Sequence, residues 1–306
     1  MDLKALARIA ATVTPTVPLE DPASGCTIWA KLEYQMPSGS TKDRIAAHIL
    51  RVAVEEGDVD GRSLVVEASS GSTSIAFAMV CAALGVRFLA VLPEGVSDER
   101  VLIVQRYGGE VSLSPGELGL PGAIAASERM AAGDGHVFLP RQFSNPDNAA
   151  AHRLRTGPEL VSQVGGPVDG FVAAVGTAGT LMGVGQALRA TGHRPLLARV
   201  RVAGELDAEQ GGAPCSGVPG VVDCLSTILD ERALGLGPEI VIAREEALAA
   251  TRDLCRRGFP VGVSSGLNLC GARRLAARLG PNHNVATVFC DRMERYFSTD
   301  LFADVR

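Results

Sequence analysis

Residues 63–93, SLVVEASSGSTSIAFAMVCAALGVRFLAVLP, contain a complete strand–helix–strand unit. The β-branched run at 63–67 is typical of a buried strand, and the apolar segment at 73–84 predicts a helix that ends at Gly85. Residues 86–92 predict a second strand. Two strands joined through a helix lie parallel in one sheet, so this stretch favours a parallel α/β fold.

The same alternation of strands and helices continues along the rest of the chain. Further strands are predicted at 110–113, 136–139, 170–175, 199–204, 239–243 and 284–290. Further helices are predicted at 97–107, 121–130, 147–163, 179–190, 244–257 and 266–279. Repeated units of this kind predict an α/β protein of two domains, each a twisted, mostly parallel sheet with helices on both faces.

The stretch RQFSNPDN, residues 141–148, is the predicted boundary between the two domains. We therefore predict an N-terminal domain over 1–145 and a C-terminal domain over 146–306, both of ordinary size, with about the first 35 residues able to pack on the second domain. Residues 205–237 are rich in Gly and Pro and could form a lid, a partner contact or part of a site.

The composition argues against several classes of protein. The 306 residues carry a net charge of -5 and no basic stripe, so we expect no nucleic-acid partner. No run reaches the ~18 apolar residues of a membrane helix, and the N-terminus lacks the pattern of a secretory signal. Seven scattered cysteines and five histidines show no metal-binding spacing, so we expect no metal and a reduced, cytoplasmic protein.

Lys42 lies in the segment PSGSTKDR, residues 37–44, where a glycine-containing loop enters a predicted amphipathic helix. Ser40 and Asp43 have the spacing of a capping box, which places Lys42 in the first turn of that helix. A lysine amine can form a Schiff base with a carbonyl group. Taken alone, the segment is equally compatible with an exposed lysine that follows a loop.

Three further segments place small or hydroxyl-bearing residues at predicted helix starts: EASSGSTS at 67–74, GTAGT at 176–180 and GVSSGLN at 262–268. Backbone N–H groups at a helix start bind anions, and parallel α/β folds bind ligands at the carboxyl ends of their strands. The first segment suits a substrate carboxylate, the second a phosphate, and the third could place a hydroxyl against a ring nitrogen. Each could also be a simple helix cap, and DRMERY at 291–296 could be a charged strand end.

Together these segments form a pattern that no single one of them defines. The series SGSTKDR, EASSGSTS, QFSNPDN, TGPEL, GTAGT, GVSSG and CDRMERY resembles the cysteine synthase and cystathionine β-synthase family, which are fold-type II enzymes dependent on pyridoxal 5′-phosphate (PLP). The resemblance keeps the order of the segments and spans about residues 28–300. It implies PLP as cofactor.

The resemblance also implies a role for each matching residue. Lys42 corresponds to the catalytic lysine that binds PLP as a Schiff base and takes the substrate α-proton. The implied cofactor-binding residues are Lys42, Ser72, Gly176, Thr177, Ala178, Gly179, Thr180 and Ser264. Within that set, 176–180 corresponds to the phosphate loop and Ser264 to the residue at the pyridine nitrogen. The implied substrate-binding residues are Ser69, Ser70, Gly71, Thr73 and Gln142, which correspond to the group that takes the carboxylate.

The sequence departs from the family pattern beside the expected substrate. Ser72 replaces an asparagine and Ser74 replaces a glycine of the carboxylate loop, while Ala178 replaces a glycine of the phosphate loop. The glycine-rich segment that often follows Glu205 in the family is reduced here to SGVPG at 216–220. These changes leave the leaving group and the nucleophile open.

The function that the resemblance implies is β-replacement. An activated serine, such as O-acetylserine or O-phosphoserine, would lose its leaving group to give an aminoacrylate, to which a small nucleophile such as sulfide adds. Three alternatives stay open: a β-elimination lyase similar to a cysteine desulfhydrase, a synthase of another β-substituted alanine, and a catalytically silent relative that binds a partner. The resemblance also implies a homodimer and a possible complex with serine acetyltransferase.

Overall fold

The computed structural model describes residues 1–133, 135–203, 218–222 and 225–305. The strands in these ranges are β1 (Thr16–Asp21), β2 (Cys26–Leu32), β3 (Leu64–Ala68), β4 (Arg87–Pro93), β5 (Glu110–Ser114), β6 (Val137–Phe138), β7 (Gly170–Ala174), β8 (Leu196–Val202), β9 (Glu239–Ile242) and β10 (Asn284–Phe289). The α-helices are α1 (Leu3–Ala10), α2 (Lys42–Glu56), α3 (Ser72–Leu84), α4 (Asp98–Arg106), α5 (Gly119–Ala132), α6 (Asp147–Ala151), α7 (Gly157–Val164), α8 (Gly179–Ala190), α9 (Glu231–Leu234), α10 (Arg244–Arg256) and α11 (Val263–Leu279). Short 3₁₀ turns lie at Glu33–Gln35, Gly116–Leu118, Met293–Tyr296 and Asp300–Phe302.

The strands form two sheets. The smaller sheet has the order β5-β4-β3-β6, and every neighbouring pair in it is parallel. The larger sheet has the order β1-β2-β10-β7-β8-β9 and is parallel except where β1 pairs antiparallel with β2. The predicted α/β fold with two mostly parallel sheets is confirmed, and β3 to β4 is the unit that residues 63–93 predict.

The sequence did not predict β1 and β2. They form a hairpin that joins the larger sheet, because β10 pairs in parallel with β2 on one side and with β7 on the other. The first 32 residues therefore complete the sheet that contains the strands after residue 170. The division of the chain into domains at residue 145 stays a prediction.

Three predicted elements differ in detail from the structure. The helix predicted over 147–163 is α6 and α7 separated by a π-helical turn at His152–Thr156. The helix predicted from 266 begins at Val263, and the strand predicted at 199–204 runs from Leu196 to Val202. Most of the irregular stretch at 205–237 lies outside the described residues, as does part of the SGVPG segment.

A buried ionic cluster connects the larger sheet to the start of α2. Arg44 donates to both oxygens of Glu33 at 2.9 and 2.8 Å and pairs with Glu159 at 2.6 Å, while Lys31 pairs with Glu159 at 2.9 Å. Burial alone would raise the pKa of Glu33, but the Arg44 guanidinium outweighs it and lowers this pKa to about 2. Glu33 also accepts a hydrogen bond from Thr41, which holds the residue before Lys42.

The described residues also bear on the expectations about cysteines, metal binding and membrane helices. Cys26, Cys81, Cys255, Cys270 and Cys290 are free thiols, and Cys215 and Cys224 lie outside the described residues. In the described ranges, no cluster of three or more His, Cys, Asp or Glu side chains could hold a metal ion. None of the helices found there combines the length and apolar character that a bilayer span requires.

Candidate active site

One cavity brings the predicted motifs together. It lies at the carboxyl ends of β3 and β7, where parallel sheets commonly bind ligands. The predicted site residues that line it are Lys42, Ser69, Ser70, Ser72, Thr73, Gln142, Gly176, Thr177, Ala178, Gly179, Thr180 and Ser264. Gly71 is the one predicted site residue outside this lining, and it lies in the loop directly behind it.

Lys42 is the lysine that this cavity contains. The chain has three lysines, and all three are among the described residues. Lys4 is exposed on α1, and Lys31 is fully buried in its ion pair with Glu159. A ligand that reacts with a lysine amine in this cavity therefore meets Lys42.

The start of α2 differs from the predicted capping box. Lys42 is the first helical residue, and its N–H donates to the Ser40 hydroxyl at 3.3 Å. The Asp43 carboxylate does not turn back to Ser40; it accepts from the N–H of Ser38 at 2.6 Å and from the Ser38 hydroxyl. Burial raises the pKa of Asp43 to about 6. Asp43 thus fixes the loop before Lys42 rather than capping the helix with Ser40.

The serine-rich loop is held by its own side chains. The Ser69 hydroxyl accepts from the N–H groups of Gly71 and Ser74 at 3.0 and 3.2 Å, and it lies 2.6 Å from the Ser74 hydroxyl. Gly71 has a φ of 138°, and a Cβ there would overlap the Cδ of Arg100. Ser74, which replaces a family glycine, therefore stabilises the loop, and Ser69 is engaged within it.

A chain of hydrogen bonds connects the serine loop to the loop at 176–180. Thr73 donates to the side-chain oxygen of Gln142 at 2.7 Å, and the Gln142 amide donates to the Ala68 carbonyl at 2.8 Å. Asn148 donates to the Gln142 carbonyl at 2.7 Å and to the Thr177 hydroxyl at 2.9 Å. All five residues in this chain of hydrogen bonds are buried, so the chain fixes the two loops relative to each other.

The loop before α8 has the backbone that an anion site needs. Ala178 adopts a left-handed conformation with a φ of 65°, and α8 begins at the next residue. A Cβ at Gly176 would overlap the Gly220 carbonyl, and one at Gly179 would overlap the side-chain oxygen of Asn148. The small residues therefore allow a close backbone approach at a helix N-terminus, which favours a phosphate.

Ser72 lies beside the carboxylate of Asp291, which also lines the cavity. Its hydroxyl donates to Oδ2 of Asp291 at 3.0 Å, and the Tyr296 hydroxyl donates to the same oxygen at 2.6 Å. Asp291 is 6% exposed, and its Oδ1 is buried without a hydrogen-bond partner among the described residues. Ser264 lines the cavity near Cys290, whose pKa burial raises to about 11.

Several polar residues of the cavity region were not among the predicted site residues, and three of them are Arg100, Asp291 and Asn148. Arg100 and Asp291 line the cavity directly, and Asn148 contacts the 176–180 loop through its hydrogen bond to Thr177. Asp291 follows β10, so its position at a strand end was a usable signal, and Asn148 lies in the quoted QFSNPDN segment. Arg100 gave no such signal, because its sequence context is that of an ordinary surface helix.

Comparison with known proteins agrees with this geometry. A family model described as pyridoxal-phosphate dependent enzyme matches residues 8–291. The chain therefore belongs to the family of PLP-dependent enzymes. Within it, the chain is a fold-type II protein of the cysteine synthase and cystathionine β-synthase group.

Three similar proteins illustrate that group. Cysteine synthase B of Campylobacter jejuni is 34% identical over 287 residues, which cover 91% of this chain and 93% of that protein. The structure of an O-ureido-L-serine synthase has a TM-score of 0.89 at 31% identity and covers 97% of this chain and 95% of its own. A hydrogen sulfide-producing enzyme of Fusobacterium nucleatum has a TM-score of 0.87 at 30% identity, covering 98% and 92%.

The residues of the cavity fit PLP. The 176–180 loop offers N–H groups, the Thr177 and Thr180 hydroxyls and no acidic side chain to a phosphate. Lys42 offers an amine, and Ser264 offers a neutral hydroxyl, on the same cavity. A side chain at Gly176 or Gly179 would clash with neighbouring residues, so at these two positions no side chain covers the backbone N–H groups that a phosphate would contact.

Proposed function

We propose that this protein catalyses β-replacement on an activated serine, with O-acetylserine or O-phosphoserine as the first substrate. The observation that carries the proposal is the convergence of Lys42, the serine loop and the 176–180 loop on one cavity. The resemblance to a cysteine synthase over most of both chains supports the same reaction class.

The first substrate would be held through its carboxylate. Ser70 and Thr73 bring hydroxyl groups to the cavity, and the loop that carries them starts α3, whose N-terminal N–H groups favour an anion. Gln142 is already fixed by Thr73 and Ala68, so its position does not depend on the ligand. A preorganised site of this kind avoids the entropy cost of ordering side chains when the substrate binds.

Lys42 would both hold the cofactor and move the proton. When bound, PLP supplies the electron sink that stabilises negative charge at the substrate α-carbon. The Lys42 amine, once the substrate amine has displaced it, would take the α-proton as a general base. The leaving group would then depart from the β-carbon with the bonding electron pair, and a nucleophile would form the new bond at that carbon. The 176–180 loop and Ser264 would keep the cofactor in place during these steps.

Product analysis tests this function. The PLP-loaded protein would be mixed with O-acetylserine or O-phosphoserine, with and without sulfide, and the products identified by mass. We expect a new amino acid that appears only with the nucleophile. Pyruvate and ammonia as the main products in both conditions would contradict β-replacement and identify a β-elimination lyase instead, an outcome that the similarity to a hydrogen sulfide-producing enzyme makes worth measuring.

Replacing Ser72 by asparagine should shift the balance between substrates. Asparagine carries an acceptor and two donors on a longer arm, so it would break the Ser72–Asp291 hydrogen bond and reach further into the cavity. A contact of this kind with a charged group contributes about 1.5–3 kcal/mol, or roughly ten- to a hundredfold in rate. We expect Ser72→Asn to raise kcat/KM for O-acetylserine with sulfide relative to kcat/KM for the substrate pair that the wild type uses best in the product analysis.

The matched control is Ser72→Ala, which removes the same hydrogen bond without adding an amide. The measurement is kcat/KM for O-acetylserine with sulfide and for the substrate pair that the wild type uses best, in the wild type and in the two variants. If the ratio of these two kcat/KM values is the same in all three proteins, residue 72 does not set substrate specificity. The homodimer and the complex with serine acetyltransferase stay predictions. The mass in solution of the purified protein tests the first, and the mass after mixing with serine acetyltransferase tests the second.

A further inference from the structure

The ring of His152 is buried directly behind the 176–180 loop. His152 begins the π-helical turn at His152–Thr156 and is 1% exposed. Its Nε2 lies 3.3 Å from the hydroxyl oxygen of Thr180, and its Nδ1 lies 2.9 Å from the hydroxyl oxygen of Thr156. π-Helical turns are rare and occur often at functional sites. His152 therefore connects a buried hydroxyl to one that lines the cavity of Lys42.

The missing side chain of Gly183 allows α8 to pack closely against this turn. Gly183 lies three residues after Thr180 in α8, and a Cβ there would overlap the Ala149 carbonyl oxygen. The same Cβ would stand only 2.7 Å from the Cβ of His152. This close approach keeps the ring of His152 beside the first turn of α8, where Thr180 lies.

The ring of His152 is neutral near pH 7. Burial lowers the pKa of His152 to about 3. The Glu33 carboxylate opposes this shift but does not outweigh it, and Arg44, Lys42 and His48 add to it. A neutral imidazole has one N–H donor and one acceptor nitrogen. The position of its single proton therefore decides the direction of both hydrogen bonds of the ring.

Thr156 determines where that proton lies. Thr156 is fully buried, and among the described residues its hydroxyl makes one hydrogen bond, to Nδ1 of His152. If Nδ1 carried the proton, Nδ1 would donate, and the Thr156 hydrogen would be buried without an acceptor. With the proton on Nε2, Thr156 donates to Nδ1 and the ring donates to Thr180. Thr180 then accepts, so its own hydrogen can point into the cavity.

Thr177 accepts a hydrogen bond from behind the loop in the same way. The Asn148 amide nitrogen donates to the Thr177 hydroxyl at 2.9 Å and to the Gln142 carbonyl at 2.7 Å. A carbonyl only accepts, so the Asn148 atom that contacts both groups is the nitrogen. Each threonine hydroxyl of the 176–180 loop thus accepts from a neutral side chain and keeps its hydrogen for the cavity. Donors of fixed direction suit a phosphate, whose oxygens are strong acceptors.

We propose that His152 is a positioning residue for the cofactor phosphate: its neutral ring donates from Nε2 to Thr180 and so directs the Thr180 hydrogen to that phosphate. The inference rests on the part of the proposed function that places PLP at the 176–180 loop, and it holds for whichever reaction follows. No proton is transferred to the cofactor, because His152 acts only through the orientation of the Thr180 hydroxyl.

Two substitutions separate the two hydrogen bonds of the ring. His152→Gln places an amide near the position of Nε2, where it can donate to Thr180, whereas His152→Asn places an amide near Nδ1, within reach of Thr156 alone. The cofactor-free proteins would be titrated with PLP and with pyridoxal, which lacks the phosphate, and binding followed by absorbance. We expect His152→Asn to lower the ratio of PLP affinity to pyridoxal affinity about tenfold, and His152→Gln to keep most of it. An equal loss of affinity for both ligands in His152→Asn would show a purely structural role and overturn the proposal.

Two controls separate this proposal from the cofactor placement on which it rests. His193→Asn changes an exposed histidine and should leave the affinity ratio unchanged. Gly179→Asp should lower the ratio if the 176–180 loop holds the phosphate. A lowered ratio in Gly179→Asp with a wild-type ratio in His152→Asn would refute the role of His152 and leave the cofactor site standing. A wild-type ratio in Gly179→Asp would refute the cofactor placement, and the proposal with it.

NMR measures the position of the ring proton in the wild type directly. In PLP-loaded protein labelled with ¹⁵N in its histidines, the signals of His152 are those that are absent from the His152→Gln or His152→Asn protein. We expect a neutral ring at pH 7 that carries its proton on Nε2. A proton on Nδ1 would turn the Thr180 hydrogen toward the ring and away from the phosphate, and it would overturn the proposal whatever the variants bind. A ring protonated on both nitrogens would contradict the neutral donor in the same measurement.

Discussion

Lys42→Ala is expected to abolish both the visible absorption band of lysine-bound PLP and the catalytic reaction. Lys42 is the lysine of the cavity, and the other two are exposed on α1 or locked in a buried ion pair. Loss of a general base alone typically lowers a rate about 10²- to 10⁴-fold, and loss of the covalent attachment adds to this. The measurement is the absorption spectrum after addition of PLP, followed by product formation under the conditions of the wild type.

The low lysine content makes a direct control possible. Lys4→Ala removes an exposed lysine and should keep the band and the activity. Borohydride reduction of the PLP-loaded wild type should fix the cofactor to one peptide, which contains residue 42. A persistent band in Lys42→Ala, or a label on the peptide of Lys4 or Lys31, would refute the assignment of the cofactor lysine.

Gly179→Asp should nearly abolish PLP binding. A Cβ at this position would overlap the side-chain oxygen of Asn148, and the carboxylate would add a negative charge where the phosphate is expected. An uncompensated buried charge typically costs about 3–5 kcal/mol, which is at least about a hundredfold in affinity. Titration of the cofactor-free variant with PLP, followed by absorbance, measures this loss.

Two further variants separate bulk from charge. Gly179→Ala adds the methyl group alone and should weaken binding less than the aspartate does. Gly61→Asp adds the same charge in an exposed turn where no atom lies within 4 Å of the new Cβ, and it should leave PLP affinity unchanged. Wild-type affinity in a folded Gly179→Asp protein, checked by circular dichroism, would exclude the loop from the cofactor site.

The smaller sheet was predictable from sequence because its signals are local. β3, α3 and β4 follow one another without interruption, and α3 is buried on almost all sides, so its apolar residues form a continuous run. Gly85 takes the left-handed conformation that ends this helix. Where pairing is between neighbours in sequence, pattern and structure agree.

The hairpin of β1 and β2 was not predictable in the same way. β2 carries a fully buried lysine, Lys31, which in sequence looks like a solvent-facing residue. Its burial is possible because Glu159, 128 residues later, pairs with it. Pro18 within β1 also reads as a strand breaker, and it is tolerated because β1 is an edge strand. The burial of Lys31 and the edge position of β1 both depend on residues far away in sequence, so a local pattern does not predict them.

The candidate site shows the same division. The loops at 69–73 and 176–180 were predictable, because their small and hydroxyl-bearing residues stand between a strand and a helix. Arg100 was not, since its burial depends on the missing side chain of Gly71 and on the Ser70 carbonyl that it contacts. The sequence predicts which loops meet, and the packing of neighbouring helices decides which charged side chains join them.

The position of β10 has a consequence for how the protein is made. β10 lies between β2 and β7, so the hairpin of the first 32 residues is joined to its sheet by a strand that is synthesised about 250 residues later. At roughly 5–20 residues per second, ribosomes would take ~12–50 s to cover that distance. β2 would present an unpaired edge throughout this time, and β7 would do so from its own synthesis onward, and such edges recruit other chains. A nascent chain of this protein therefore passes through an aggregation-prone interval that ends only when residues 284–289 close the sheet, and slow translation lengthens that interval.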